Sequence, residues 1–92
     1  MKSILQKEHE CLVCRSTYNL HVHHCFFGNA NRKLSEKYGL TCFLCPRHHN
    51  MSNAGVHFDK TLDLKIKQLA QRKFEETNTR EEFRKIFGKS WL

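Results

Sequence analysis

Apolar residues come in two textures along the chain, short clusters up to about position 58 and a helical period beyond it. The segment "YNLHVHHC" at 18–25 reads as a strand. "LTCFLC" at 40–45 is dense in apolar and β-forming residues and predicts a second strand. Between them "FFGNANRKLSEKYG" is mostly polar and reads as a long loop closing at Gly39, with Phe26 and Phe27 expected to fill the core. Pro46 directly follows the second strand and suits the first position of a helix, whose end Asn53 and Gly55 would signal; Asn50 and Asn53 read as its capping and terminating residues. Residues 1–10 are polar and predict a loose lead-in or a short helix.

Past Phe58, Leu62, Ile66, Leu69 and Ala70 recur at helical spacing with Lys65, Lys67, Arg72 and Lys73 between them, which predicts an amphipathic helix. Thr79 followed by Glu82 has the spacing of a capping box, and "EEFRKIFG" runs on as a last short helix ending at Gly88. Trp91 and Leu92 are expected to fold back onto the core. The pattern is that of an α+β chain: a two-stranded hairpin with a short helix, a small ββα core over 11–57, and a helical C-terminal extension over 58–92, together one domain over 1–92. No internal repeat, low-complexity tract or linker interrupts it, and the single proline lies inside a motif.

Length changes the picture. A chain of 92 residues buries only about 60–65% of its unfolded surface, so its core alone is marginal and a staple is expected. Five cysteines are available for one. Their odd number, with no apolar signal segment opening the sequence, argues against a secreted disulfide framework and for a metal. No run approaches the roughly 20 apolar residues that cross a bilayer, so the expectation is a soluble, cytoplasmic protein with no membrane partner. The net charge of +7, from 16 Lys and Arg against 9 Asp and Glu, favours a polyanionic partner.

Cys11 and Cys14 have the two-residue spacing that points two thiolates at one tetrahedral Zn²⁺. Cys45 and His48 repeat that spacing, with Cys45 just before the helix and His48 one turn into it, so a structural zinc would clamp the N-terminal knuckle onto the helix start. Cys42 competes with His48 for the fourth position. His48 is preferred, because strand alternation turns Cys42 and Cys45 to opposite faces. Cys25 and Cys42 are then small buried hydrophobes of the core.

His21, His23, His24, His49 and His57 are left over, and nothing in a structural zinc site requires them. His23, His24 and His49 would lie close together if the strands pair and the helix folds back. At this point "CLVC", "HVHHCFFG", "LCPRHHN" and "GVH" resemble the HNH, or ββα-metal, nuclease superfamily, over roughly residues 11–57. The chain is also similar to a group of small phage proteins with a "VHH...SEKYGL...LCPRHHN...VH" pattern, matched through Ser35 to Leu40 and on to His57. The resemblance implies a metal-dependent DNA endonuclease in a bacterial host, encoded by a phage or prophage, with nicking and the processing of recombination intermediates among the activities it allows. It implies that His23, His49 and His57 hold a catalytic divalent cation (Mg²⁺, Mn²⁺, Ni²⁺ or Zn²⁺) and that His24 is the general base.

An imidazole with a pKa near 6.5 is largely neutral at cellular pH yet basic enough to take a proton from water. The chain departs from the family pattern in two places: the family often has an acidic residue where His23 stands, and Leu40 occupies the usual place of its central asparagine, whose bracing role would fall to Asn29 or Asn31. Simple alternation also makes His21 a rival of His23 as ligand. Arg32, Lys33 and Lys37 in the loop, and Arg47 at the helix start, are the expected DNA contacts, joined on an even footing by lysines of the 60–73 helix. Such contacts read charge and not sequence, so strong sequence specificity is not expected. The competing function class is a non-catalytic zinc-binding module, an adaptor for nucleic acid or an inhibitor of a host protein.

Overall fold

The structure, a computed structural model, describes residues 3–49 and 55–92. Its elements run β1 His21–His24, α1 Asn29–Lys37, β2 Thr41–Leu44, α2 Pro46–His49, α3 Lys60–Phe74 and α4 Arg80–Phe87. This is the expected α+β arrangement. β1 and β2 pair antiparallel, His21 opposite Leu44, Val22 opposite Phe43, His23 opposite Cys42 and His24 opposite Thr41. Residues directly opposite one another share a face. His21, His23, Cys42 and Leu44 therefore turn to one side of the sheet, and the last three are buried.

The segment expected to be a loop between the strands is a helix, and this corrects the reading of 26–39. Ala30, Arg32, Lys33, Leu34, Glu36 and Lys37 all favour helix, but only Leu34 and Tyr38 turn partly into the core, too few to give an apolar period. A polar residue anchors α1 instead. The buried Ser35 hydroxyl donates to the Phe26 carbonyl at 2.8 Å and accepts from the Phe26 N–H at 3.1 Å, tying the helix to the end of β1. Gly39, at φ +71°, closes the helix in the left-handed conformation that glycine tolerates best.

Over its described residues, 3–10, the lead-in is neither loose nor helical. Leu12 N–H donates to the Phe43 carbonyl at 2.9 Å and the Phe43 N–H donates to Gln6 Oε1 at 2.7 Å, so the N-terminal segment runs along the free edge of β2. The five-residue turn from Cys11 places Arg15 at φ +64°, and its N–H closes back on the Cys11 carbonyl at 2.9 Å. The helix end expected at Asn50 and Asn53 lies outside the described residues. From Gly55 onward the chain returns beside α2: Val56 N–H donates to the His48 carbonyl at 2.8 Å and His57 N–H to that of His49 at 3.3 Å.

The C-terminal half follows its period with two additions. α3 starts at an Asp59 cap that accepts from the Thr61 and Leu62 N–H groups, and it buries Ile66, Ala70, Gln71 and Phe74 along one face. α4 starts at Thr79, which accepts from the Glu82 N–H as its spacing predicts, and ends at Gly88 in the left-handed conformation. Phe26 stands at the centre of the core, its ring 5.3 Å from Phe83, 4.7 Å from Phe87 and 4.7 Å from Trp91. Trp91 is held there because its N–H donates to the buried Gln71 Oε1 at 2.8 Å. Leu92 and Phe27, both expected inside, are 37% and 42% exposed. Phe27 lies instead beneath the Lys67 ammonium, 4.4 Å from the ring centre.

Removal of a fully buried aromatic ring from a core this small forfeits both its transfer energy and its packing. Phe26→Ala should cost about 3–5 kcal/mol in urea unfolding, whereas Leu92→Ala should stay within about 0.5 kcal/mol of wild type. A Phe26→Ala loss below about 1 kcal/mol would show that the ring cluster does not carry the core.

Candidate metal centres

Two groups of metal-ligating side chains converge, and both pass through α2. The first is Cys11, Cys14, Cys45 and His48. Cys14 Sγ lies 3.6 Å from Cys45 Sγ, Cys45 Sγ 3.2 Å from His48 Nδ1, and Cys11 Sγ 3.8 Å from the same nitrogen. Metal–sulfur and metal–nitrogen bonds of about 2.3 and 2.1 Å give tetrahedron edges of about 3.8 Å between sulfurs and about 3.6 Å between sulfur and nitrogen. The observed separations are of that size, so this group can hold a metal ion. Its members are the four that spacing and strand alternation together select.

Cys42 stays out of the group for the reason alternation gives, since it faces inward opposite His23. Cys25 and Cys42 are both buried, and the neighbouring Cys42 thiol together with burial raises the Cys25 thiol well above its usual range, as a core role requires. Cys11 behaves in the opposite way. Burial pushes its thiol up, but the N–H groups of Cys14, Cys45 and Val13 outweigh burial and bring it down to about 6. Backbone dipoles thus favour the thiolate that a metal needs. At Cys14 the Ser16 N–H favours the thiolate, while desolvation and the neighbouring Cys45 and Cys11 sulfurs together win and raise it. That crowding of sulfurs is what a cation between them would relieve.

The second group is His23, His49 and His57. β1 brings His23, α2 brings His49, and the bond from His57 N–H to the His49 carbonyl brings His57 alongside. His49 Nε2 and His57 Nε2 are 3.2 Å apart, close to the tetrahedral edge of about 3.4 Å between two metal-bound imidazole nitrogens. The rings of His49 and His57 stand 5.4 and 5.6 Å from that of His23. His23 is 2% exposed, and its Nε2 is buried without a hydrogen-bond partner among the described residues. A buried nitrogen left unpaired costs about 1–3 kcal/mol, which a bound ion would recover. The donor set and this orphaned atom both fit a metal ion.

His23, His49 and His57 line a cleft of about 240 Å³ together with His24, Arg32, Val22 and Phe27. β1 ends at His24, so the two adjacent histidines share the cleft although a continuing strand would separate them. His24 Nε2 faces Glu36 Oε2 of α1 at 3.4 Å. Arg32 and Lys33 lie on exposed α1 positions along a broader groove of about 1090 Å³ that shares Phe27 and Arg32 with the cleft. Lys37 and Arg47 line neither. Lys67 is drawn away from any partner outside the chain, donating to Asp63 at 2.8 Å and covering Phe27.

His21 sits outside the trio: its Nδ1 is 2.8 Å from His49 Nδ1, on the side of that ring away from His57. Glu36 was not anticipated from the sequence, because its pairing with His24 across twelve positions follows no local period. No family model matches the chain, and no curated protein or solved structure matches it. Among the described residues no helix is long and apolar enough to cross a membrane.

Burial, then the neighbouring His49 and His57, lowers His23 from 6.5 to about 3. Burial, then His57 and His21, lowers His49 from 6.5 to about 4. Both rings are neutral and ready to ligate at neutral pH. Above pH 6.5 neither state binds the proton; below it the unfolded chain does and the folded chain does not, until about pH 3 for His23. Stability should therefore fall as the solution is acidified through this window. With one equivalent of metal, taken by the thiol-rich group, His23→Gln should flatten the slope of unfolding free energy between about pH 6 and about pH 4 by about one proton, ~1.4 kcal/mol per pH unit. Parallel slopes for the two proteins would show that His23 titrates normally.

Proposed function

We propose that this protein is a metal-dependent DNA endonuclease of HNH type, in which Cys11, Cys14, Cys45 and His48 hold a structural zinc ion and His23, His49 and His57 hold a catalytic divalent cation. One observation carries the reading: a buried imidazole nitrogen with no hydrogen-bond partner among the described residues, two further imidazoles, a fourth histidine and a guanidinium line one small cleft. The resemblance of "HVHHCFFG", "LCPRHHN" and "GVH" to the HNH superfamily supplies the reaction.

His24 is the general base. Its Nε2–H donates to Glu36, which leaves the Nδ1 lone pair to take the proton from the attacking water. Arg32 meets the non-bridging oxygens of the scissile phosphate, since its planar donors match that geometry and it borders the cleft. Lys33 continues the contact along the groove, while Lys37 and Arg47 reach the flanking backbone from farther out. A divalent cation held by the three imidazoles supplies charge neutralisation at the phosphate and at the departing 3′ oxygen. An all-nitrogen donor set favours Zn²⁺, Ni²⁺ or Mn²⁺ over Mg²⁺, which prefers oxygen ligands and keeps its waters. The net charge of +7 fits a polyanionic substrate recognised without strong sequence preference.

Metal removal tests the structural part. Elemental analysis should find about one tightly held zinc per chain, and chelation or Cys14→Ser should unfold the protein, because metal binding at a thiol-rich site is folding energy. A well-folded, zinc-free sample would overturn this part.

Plasmid nicking tests the catalytic part. His24→Ala should keep zinc content and DNA affinity while lowering the nicking rate by about 10² to 10⁴, the usual contribution of a general base. His23→Ala and His49→Ala should also lose nicking, with partial recovery at raised Mn²⁺ that His24→Ala does not share. Undiminished nicking by His24→Ala would remove it from the base role. A wild type inactive on supercoiled and linear DNA across a divalent-metal panel would favour a non-catalytic zinc-binding module.

A further inference from the structure

We propose that His21 is a positioning residue for the three-histidine site: its Nδ1 accepts a hydrogen bond from the Nδ1–H of His49 and so keeps the His49 Nε2 lone pair directed at His57 and His23. The inference rests on the reading of His23, His49 and His57 as metal ligands.

His49 is engaged at both ring nitrogens, Nδ1 with His21 Nδ1 at 2.8 Å and Nε2 with His57 Nε2 at 3.2 Å. Two nitrogens 2.8 Å apart need one proton between them. A neutral imidazole carries a single N–H, so the contact on one side dictates the lone pair on the other. If His21 donated, His49 would have to carry its proton on Nε2, the atom that faces the site, and could not ligate. With His49 as donor, the bonds run in one direction, from His57 Nε2–H to His49 Nε2 and from His49 Nδ1–H to His21 Nδ1. Ligation would then require only that His57 carry its proton on Nδ1 in place of Nε2.

The register explains why His21 is available for this. It shares the sheet face of His23 two residues away, its ring centre is 5.0 Å from that of His49, and the two rings are nearly perpendicular at 83°. His23 at the same face is the buried ligand, while His21 at the strand start is only half-buried. One strand face thus provides both a ligand and the support for another strand-distant ligand. Outer hydrogen-bond partners of ligating histidines typically change metal affinity by about 10–100-fold when removed.

The test uses the full chain with its thiol-rich site filled. Long-range ¹H–¹⁵N correlation spectra of the histidine rings should show His49 as the Nδ1–H tautomer in wild type, before any metal is added to the histidine site. Titration with Co²⁺ should then give one further ion per chain, with affinity lowered about 10–100-fold in His21→Ala and largely restored in His21→Asn, whose side-chain oxygen can accept near the position of Nδ1. An Nε2–H tautomer of His49 in wild type would overturn the proposal, and this readout needs no variant to fold. Equal Co²⁺ affinity in wild type and His21→Ala would overturn it as well. Equal losses in His21→Ala and His21→Asn would make His21 a ligand, as would two ions at the histidines of wild type; either result overturns the positioning role. If wild type shows the Nδ1–H tautomer but takes up no Co²⁺, the His21 bond stands and the metal reading fails.

Discussion

One turn of helix carries the constraint on which both candidate centres depend. The Cys45 carbonyl accepts from the His48 N–H at 3.1 Å and from the His49 N–H at 3.0 Å, so a single acceptor fixes the start of α2. Neighbouring residues on a helix diverge by about 100° around its axis. Consecutive histidines therefore look in different directions, His48 toward the thiols and His49 toward the imidazoles. None of Pro46–His49 is fully buried, and a turn this short has no stability of its own. Its position has to come from what its side chains and flanking backbone bind.

The flanking backbone supplies part of this through the bonds from Val56 and His57 to the His48 and His49 carbonyls. On the proposed reading the thiol-rich site supplies the rest, since an ion shared by Cys11, Cys14, Cys45 and His48 ties α2 to the N-terminal knuckle, and the knuckle is itself bonded to the edge of β2. The two centres are then mechanically in series. Placement of His49 requires placement of His48, and His57 follows α2 through its bond to the His49 carbonyl, while His23 is held separately by the sheet. The aromatic core contributes at the opposite end, where Phe26 locks the segment after β1 to α4 and Trp91.

Legibility of the sequence followed the physics of each feature. The thiol-rich group was readable to the residue because two-residue spacing acts locally, and the choice of His48 over Cys42 needed only strand alternation and a proline. The α3 and α4 helices were readable from period and caps. α1 was not, since a helix anchored by a buried serine hydroxyl shows no apolar stripe, and Phe27 was misplaced because two adjacent phenylalanines give no hint which one turns outward. Gln71, fully buried with the tail bonded to it, escaped notice because its partners Ser90 and Trp91 lie about twenty positions away. The histidine site was legible as a set of residues, though not in its supports: Glu36 and the His21 contact arise only once β1, α1 and α2 have packed.

The insertion of a helix between the paired strands gives the cleft its asymmetry. A tight turn would join β1 to β2 with two residues. Here α1 stands in its place, and the elements around the cleft divide the chemistry: the sheet, α2 and the returning chain bring the uncharged imidazoles of His23 and His49 and the ring of His57, whereas α1 brings the charges, Arg32 on the cleft and Glu36 against His24. Burial holds His23 and His49 neutral, so the cleft takes positive charge from the exposed Arg32 guanidinium and not from these two rings. His23, buried at the back of the cleft, thus keeps its lone pair away from water, while Arg32 on α1 stays exposed and keeps its charge. Ser35 keeps the walls in register, because its paired bonds to Phe26 fix α1 two residues beyond the end of β1 and so fix Glu36 relative to His24.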